Sequence, residues 1–337
     1  MKWQDSTSSE RLNLKAGEWV EVRSQEEILA TLDERGCLEN LPFMPEMLPY
    51  CGQKLRVYKR ADKTCDNIVP WGIRRMENSV HLEGVRCDGT AHGECQAGCL
   101  IFWKEAWLKR VGNTVVSEEG LRRAGGSSPG NGNGGLVTVE SILAATKAPN
   151  SEQEVVYSCQ ATECRNYTSF MRWWDPRQYI RDVRSGNVSS GFADDSRQGR
   201  ILEVVLDILQ VVRAMIISIF RDRRGVHYPF IPGMLEKTPV ETLDLQPGEL
   251  VQVRSKEEII ATLDKNNRNR GLLFDCEMLP YCGGIYRVLR RVHHIIDEKT
   301  GKMMNMKYPC IILEGVACRS DYHRLCPRAI YHYWRES

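Results

Sequence analysis

Four cysteines and one histidine have the residue types and spacing of a metal site. They stand in the segments TCD and RCDGTAHGECQAGC and are Cys65, Cys87, His92, Cys95 and Cys99. Thiolates are the usual ligands of iron–sulfur clusters and are common ligands of zinc. Glycines between them let the backbone wrap closely around an ion. The four thiols together predict an iron–sulfur cluster, although their spacing matches no ferredoxin pattern.

The sequence repeats itself at a constant offset of 231 positions. Gly17–Asp33 reads GEWVEVRSQEEILATLD, and Gly248–Asp264 reads GELVQVRSKEEIIATLD. The same offset pairs EMLPYCG at Glu46–Gly52 with Glu277–Gly283, and LEGVRC at Leu82–Cys87 with LEGVAC at Leu313–Cys318. One module is therefore present twice, and its two copies can be compared position by position.

The comparison gives a second candidate ligand set, made of groups present in both copies. These pairs are Cys51/Cys282, Cys87/Cys318, His92/His323 and Cys95/Cys326. Three cysteines and one histidine are typical of a closed tetrahedral zinc site, which stabilises a small module with a modest core. Cys65 and Cys99, in contrast, fall opposite Ile296 and Ile330. We therefore expect the first copy to be the working copy and the second to be the scaffold.

Two glutamates, Glu46 and Glu277, are also shared by the copies. A glutamate beside a proline turn is usually solvated or bonded to the turn, and this is the role we expect. The sequence does not indicate catalysis by paired carboxylates.

A second candidate site lies in the segment between the copies, at Cys159 and Cys164. Arginines such as Arg177 and Arg181 follow them. A reactive cysteine needs nearby positive charge or a helix N-terminus to lower its pKa. These two cysteines are the candidate catalytic residues of a redox or group-transfer enzyme with a composite site. The alternative is a packed aromatic segment whose arginines and aspartates pair with each other.

Short strands and one helical turn must position these groups. Residues alternate in polarity at Trp19–Val22, which predicts a strand, and Ser24 with Glu27 forms the pattern of a capping box before a short helix. A proline-rich turn and further short strands suggest a small barrel. The strand opening GEWVEVRS resembles SH3-like barrel modules of bacterial proteins. The ending CDG…H…C…C is similar to that of uncharacterised, duplicated, cysteine-rich bacterial proteins, a resemblance that implies a fold and no activity.

The predicted fold is an α+β multidomain chain with two SH3-like modules on either side of a mainly helical middle domain. The first module spans 14–110 and the second spans 245–335. A flexible linker rich in glycine, serine and asparagine covers 111–150, and the middle domain covers 151–224. Its last part, 201–220, predicts a long and mostly apolar helix.

The apolar surface of that helix must be shielded from water by another surface. Glu203, Asp207 and Arg213 make spanning a bilayer costly. We expect it to be buried against the aromatic middle segment, or to dock to a protein partner or to a second copy of the chain. Arg221, Arg223 and Arg224 leave a membrane surface as an alternative.

Composition narrows the functional classes. The 46 basic and 44 acidic residues give a net charge of +2, which does not predict nucleic-acid binding. The start of the chain has no secretory pattern, so we expect a cytoplasmic protein with thirteen cysteines kept largely as thiols. The sequence predicts a metal-binding accessory protein holding an iron–sulfur cluster or zinc in its first module. The composite-site enzyme and a purely structural module that binds peptides are the alternatives.

Overall fold

The computed structural model describes residues 11–66, 68–69, 72–111, 137–148, 154–172, 174–188, 197–224 and 233–337. Most of the predicted linker, 112–136 and 149–150, lies outside the described residues. We keep the names first module and second module for 14–110 and 245–335.

The first module consists of nine short strands and one α-helix. The strands are β1 (Trp19–Val22), β2 (Cys37–Leu38), β3 (Leu41–Pro42), β4 (Lys54–Arg60), β5 (Lys63–Asp66), β6 (Gly72–Arg75), β7 (Ser79–Leu82), β8 (Trp103–Lys104) and β9 (Leu108–Arg110), and the helix is α1 (Gln25–Leu29). Single turns of 3₁₀ helix lie at Pro45–Tyr50, Thr90–His92 and Glu105–Trp107. The predicted capping box is present, with Ser24 and Glu27 bonded to each other's backbone.

The middle segment adds four helices and one strand. They are α2 (Val139–Ala145), α3 (Cys164–Tyr167), β10 (Ser169–Phe170), α4 (Pro176–Arg184) and α5 (Arg197–Arg224). The second module follows with β11 (Leu250–Gln252), α6 (Lys256–Ile260), β12 (Arg268–Asn269), β13 (Leu272–Leu273), a 3₁₀ helix at Cys276–Tyr281, β14 (Ile285–Ile296), β15 (Met303–Ala317) and β16 (Tyr331–Trp334).

All strand pairs of the named sheets are antiparallel. The main sheet of the first module has the order β8-β7-β4-β1-β9, and that of the second has the order β11-β14-β15-β16. A third sheet has the order β10-β6-β5, and two strand pairs complete the set. The chain is therefore a mixed α and β protein with several small sheets. Among the described residues no sheet closes on itself, so the SH3-like barrel stays a prediction.

The segment from α2 to α4 packs on the first module. Ile142, Cys164 and Tyr167 join the core that contains Trp103 and Trp107. Strand β10 extends the β5–β6 hairpin by pairing with β6. A buried ion pair adds to this contact, with 2.5 Å between Nζ of Lys63 in β5 and Oδ2 of Asp182 in α4. This packing brings the middle segment close to the cysteines of the first module.

Helix α5 includes the predicted helix 201–220. Several of its apolar side chains are exposed, among them Ile208 and Leu209, whereas Ala214 and Ile217 are buried. Across the described ranges, no helix combines the length and the apolar character that crossing a membrane requires. Docking of α5 to a partner, a second copy or a membrane surface stays a prediction.

Candidate metal centre

A buried glutamate fixes the loop that carries the histidine of the first module. The 3₁₀ helix at Pro45–Tyr50 places Glu46 so that its Oε1 accepts bonds from the backbone N–H of Ala91, at 3.1 Å, and from Nδ1 of His92, at 2.6 Å. The other ring nitrogen, Nε2, lies 3.0 Å from the carbonyl oxygen of Ser158. Oxygen atoms therefore face both ring nitrogens of His92.

Cys87 lies beside this pair. Its Sγ, a carboxylate oxygen of Glu46 and a ring nitrogen of His92 all lie within 4.8 Å of one another. Glu46 is only 6% exposed, and Glu277 in the second module is 1% exposed. The expectation of a solvated glutamate is wrong for both, because each carboxylate is buried and accepts a bond from the chain next to the histidine.

Four thiols line one cavity of about 390 Å³. They belong to Cys87, Cys95, Cys99 and Cys159. The opposite wall comes from the second module, through the end of β14, the turn that follows it and Arg328. The cavity thus joins the first module, the middle segment and the second module, and it gathers three of the predicted cluster cysteines.

Backbone N–H groups point at several of these sulfur atoms. The N–H of Ile296, in the second module, donates to Sγ of Cys95 at 3.3 Å. The backbone N–H of Gly89 acts against the burial-raised pKa of Cys87, and those of Ala161 and Thr162 act in the same way on the pKa of Cys159. Such bonds favour a thiolate over a thiol, and they are the outer contacts that orient and tune metal-bound cysteines.

Without a cation the thiols of Cys87, Cys99 and Cys159 stay protonated, because burial raises their pKa values. Burial raises the pKa of Cys99 to about 12 and that of Cys159 to about 11. Burial, reinforced by the nearby Glu46 carboxylate, raises the pKa of Cys87 even further. A nucleophilic cysteine needs a lowered pKa, so these thiols suit metal binding better than attack on a substrate.

A buried arginine supplies positive charge at the cavity wall. Nη2 of Arg328 lies 2.7 Å from Oε1 of Glu298, and Arg328 is only 3% exposed. Within the described part of the chain, no hydrogen-bond partner reaches its Nη1. Its charge lowers the pKa of Cys99 against the effect of burial. An anionic group in the cavity would therefore meet a cation that is already in place.

The two modules contact each other by equivalent hairpins. Ile296 at the end of β14 donates its N–H to Cys95, and Cys65 in β5 donates its N–H to Sγ of Cys326 at 3.1 Å. Cys65 and Ile296 are equivalent positions of the repeat, as are Cys95 and Cys326. The arrangement is thus reciprocal, and each hairpin reaches across to the other module.

Because the β5–β6 hairpin reaches across to the second module, Cys65 lies apart from the other predicted cluster ligands. Its neighbours are Cys326, Ile73 and Met171, and it does not line the cavity of Cys87, Cys95 and Cys99. The place of a fourth thiol there is taken by Cys159. The sequence places Cys159 in another candidate site, and only the packing of the middle segment on the first module brings it to the cavity.

The remaining predicted residues pack into cores. Cys51 and Cys282 lie against the cores of their own modules. Cys164 is buried in the first core, with Sγ 4.0 Å from Oγ1 of Thr168. The structure therefore brings Cys87, His92 and Cys95 together without Cys51, and it places Cys159 but not Cys164 at the cavity.

The second module repeats the glutamate–cysteine–histidine group. Donor atoms of Glu277, Cys318 and His323 lie within 4.8 Å of one another. Oε1 of Glu277 accepts the N–H of Tyr322 at 2.6 Å, as Glu46 accepts that of Ala91. The retention of both glutamates in the repeat was the sequence signal for this group.

Comparisons of the chain with protein-family models, with curated proteins and with solved structures find no match. The resemblance to duplicated, cysteine-rich bacterial proteins stays a prediction. The structure itself shows candidate metal-ligand groups made of cysteine, histidine and glutamate.

Proposed function

We propose that this chain is an iron–sulfur protein whose cluster is held by Cys87, Cys95, Cys99 and Cys159. The observation that carries the proposal is that these four thiols line a single cavity. Four cysteine thiolates are the usual ligand set of such clusters. The two SH3-like modules would then enclose the centre between them.

The surroundings of the cavity fit an anionic cluster. Four thiolates bring negative charge, and Arg328 places a buried guanidinium at the same wall. The N–H groups that point at Cys87, Cys95 and Cys159 stabilise thiolates further. Hydrogen bonds to sulfur, net charge and burial are the features by which proteins set cluster reduction potentials.

The ligand set also limits the chemistry. A centre whose ligands are all protein thiolates has no open position for a substrate. When bound, such a cluster supplies one-electron transfer. The residues of this chain bind it, exclude water from it and balance its charge. We therefore propose an accessory protein in electron transfer rather than an enzyme that turns over a substrate.

A single zinc ion at Glu46, Cys87 and His92 is the second candidate. The short distances among these three donors favour it. Both ring nitrogens of His92 already face oxygen atoms, however, so coordination would break the bond to Ser158 or the bond to Glu46. The bond from His92 to Ser158 connects the Cys87 loop to the Cys159 segment, and the bond to Glu46 connects the loop to the 3₁₀ helix at Pro45–Tyr50. We propose that the Glu46–His92 pair positions these two ligands.

Metal analysis of protein purified without oxygen separates the two candidates. We expect iron and acid-labile sulfide in the wild-type chain. Cys99→Ile should lose both, and isoleucine is the residue that the second module has at this position, Ile330. The matched control is Cys51→Ser, which removes a thiol that lies against the core and should keep the iron. Zinc without iron, lost on His92→Gln and kept in Cys99→Ile, would support the single-ion site instead.

A further inference from the structure

A second cluster of donors lies where the β5–β6 hairpin of the first module meets the second module. Cys65 and Cys326 are in contact there, and their thiols are hydrogen-bonded to each other. The N–H of Cys65 also donates to Sγ of Cys326. Cys318 and His323 lie close enough for their charges to act on Cys65 and Cys326. Two donor pairs therefore lie in this neighbourhood, Cys65 with Cys326 and Cys318 with His323, and the donor atoms of the second pair are within 4.8 Å of each other.

The reciprocal packing of the modules explains this grouping. Ile296 of the second module lines the cavity that holds Cys87 and Cys95 of the first module. Cys65 occupies the equivalent position against Cys318 and Cys326. Cys65 thus brings a thiol to its contact with the second module, whereas Ile296 brings an apolar side chain to the equivalent contact with the first module. The extra cysteine of the first copy serves the ligand group of the second.

The histidine of this group is held less tightly than its counterpart. Nε2 of His323 lies 3.5 Å from Oδ2 of Asp275, whereas Nδ1 of His92 lies 2.6 Å from Glu46. The side chain of His323 is 23% exposed, against 1% for His92. The contact of His323 with its carboxylate is therefore longer than that of His92, and the ring of His323 is more exposed.

A buried carboxylate oxygen in each module, Oε2 of Glu46 and Oε2 of Glu277, has no hydrogen-bond partner among the described residues. Glu277 is 1% exposed, and among the described residues no hydrogen-bond partner reaches its Oε2. The donor atoms of Glu277, Cys318 and His323 lie within 4.8 Å of one another. A buried anionic oxygen without a partner is costly, and a nearby cation removes that cost.

We propose that Cys65, Cys318, His323 and Cys326 hold a zinc ion that fastens the two modules together. Three thiolates and one imidazole form a standard structural zinc set. Glu277 lies next to the ion and orients its loop through the N–H of Tyr322. Three thiolates and the zinc ion carry a charge of −1 together, and the buried guanidinium of Arg328, which also pairs with Glu298, acts on Cys65. This site goes beyond the proposed iron–sulfur centre, since it uses different ligands and a different metal.

The test is the metal content of the full chain and of three variants, measured for zinc and iron in the same samples. We expect one zinc ion per chain in the wild type. Cys318→Ser and Cys65→Ile should lose the zinc and keep the iron, and Cys65→Ile installs the residue found at Ile296. Cys99→Ile should lose the iron and keep the zinc. If no sample contained iron but zinc behaved as expected, the proposed function would be contradicted and this zinc site would not.

A second measurement uses the wild-type chain, so it tests the proposal even if the variants fail to fold. The wild-type chain, stripped of zinc and reloaded with cobalt(II), should show thiolate-to-cobalt charge transfer and the intense visible bands of a tetrahedral ion. Absence of those bands would overturn the proposal. Retention of zinc in Cys318→Ser would also overturn the proposal. So would a wild type that, as purified, contains no zinc and has a disulfide between Cys65 and Cys326.

Discussion

Replacing Gly89 by alanine tests whether the cysteine loop must close as tightly as the structure shows. Gly89 has a left-handed backbone with φ of +80° and begins the 3₁₀ turn at Thr90–His92. A Cβ atom on Gly89 would lie 2.1 Å from the carbonyl oxygen of Cys95 and 2.7 Å from its nitrogen. Both neighbours are backbone atoms, so the side chains cannot relieve the clash and Cys95 itself must move.

The expected cost has two parts. A left-handed alanine costs roughly 1–2 kcal/mol. Crowding a packed site adds about 1–3 kcal/mol. The free energy of unfolding should therefore fall by about 2–5 kcal/mol. Restoring an ordinary contact from 2.1 Å also requires Cys95 to shift by about 1 Å, enough to misplace a ligand.

The matched control is Gly52→Ala. Gly52 has a similar φ of +76°, but nothing lies within 4 Å of its ideal Cβ. This variant should lose only about 1–2 kcal/mol of stability and should keep its metal. The second module supports the distinction, because Ser320 stands at the position of Gly89 with φ of +63°. Its Oγ donates to the carbonyl oxygen of Cys326 at 2.5 Å, so the loop of the second module accommodates a side chain at this position.

The assay is iron and acid-labile sulfide per chain together with urea unfolding of the three proteins. Gly89→Ala should lose the cluster, while Gly52→Ala should differ from the wild type in stability alone. Full iron content in Gly89→Ala, or equal losses of iron in both variants, would refute the reasoning.

Two further predictions concern stability. Asp182→Asn breaks the buried pair with Lys63 and should lower the free energy of unfolding by about 3–5 kcal/mol in a urea titration. Asp175→Asn at the exposed pair with Arg177 should have a much smaller effect in the same titration, because solvent screens that pair. Equal effects would contradict the role of burial. Burial lowers the pKa of His81 to about 3, so the unfolded chain takes up the proton first and stability is lost as pH falls from about 6.5 toward 3. Through this group, the free energy of unfolding of the wild type should fall by up to about 1.4 kcal/mol per pH unit. The free energy of unfolding of His81→Gln should depend less steeply on pH. Identical pH dependences in the two proteins would contradict this prediction.

Local features of the fold follow from local sequence patterns. The strand at Trp19–Val22 and the capping box of Ser24 with Glu27 depend on neighbouring residues, so a short window predicts both. The cysteine loop is equally local, since Cys87, Cys95 and Cys99 lie within thirteen residues and reach one cavity.

Contacts between distant segments explain what the sequence did not predict. Cys159 reaches the cavity because the middle segment packs on the first module, through the bond from His92 to Ser158 among others. Cys65 leaves the predicted cluster because its hairpin reaches across to Cys326. No periodicity or spacing encodes either event. The burial of Glu46 likewise depends on a partner, His92, that lies far along the chain.

The most direct test of the iron–sulfur centre compares Cys159→Ser with Cys164→Ser, both purified without oxygen beside the wild type. Only the first of these cysteines lines the cavity. We predict that the wild type and Cys164→Ser contain iron and acid-labile sulfide and show a visible absorption that dithionite bleaches, and that Cys159→Ser lacks all three. A wild type without iron and sulfide, or equal retention in both variants, would contradict the account.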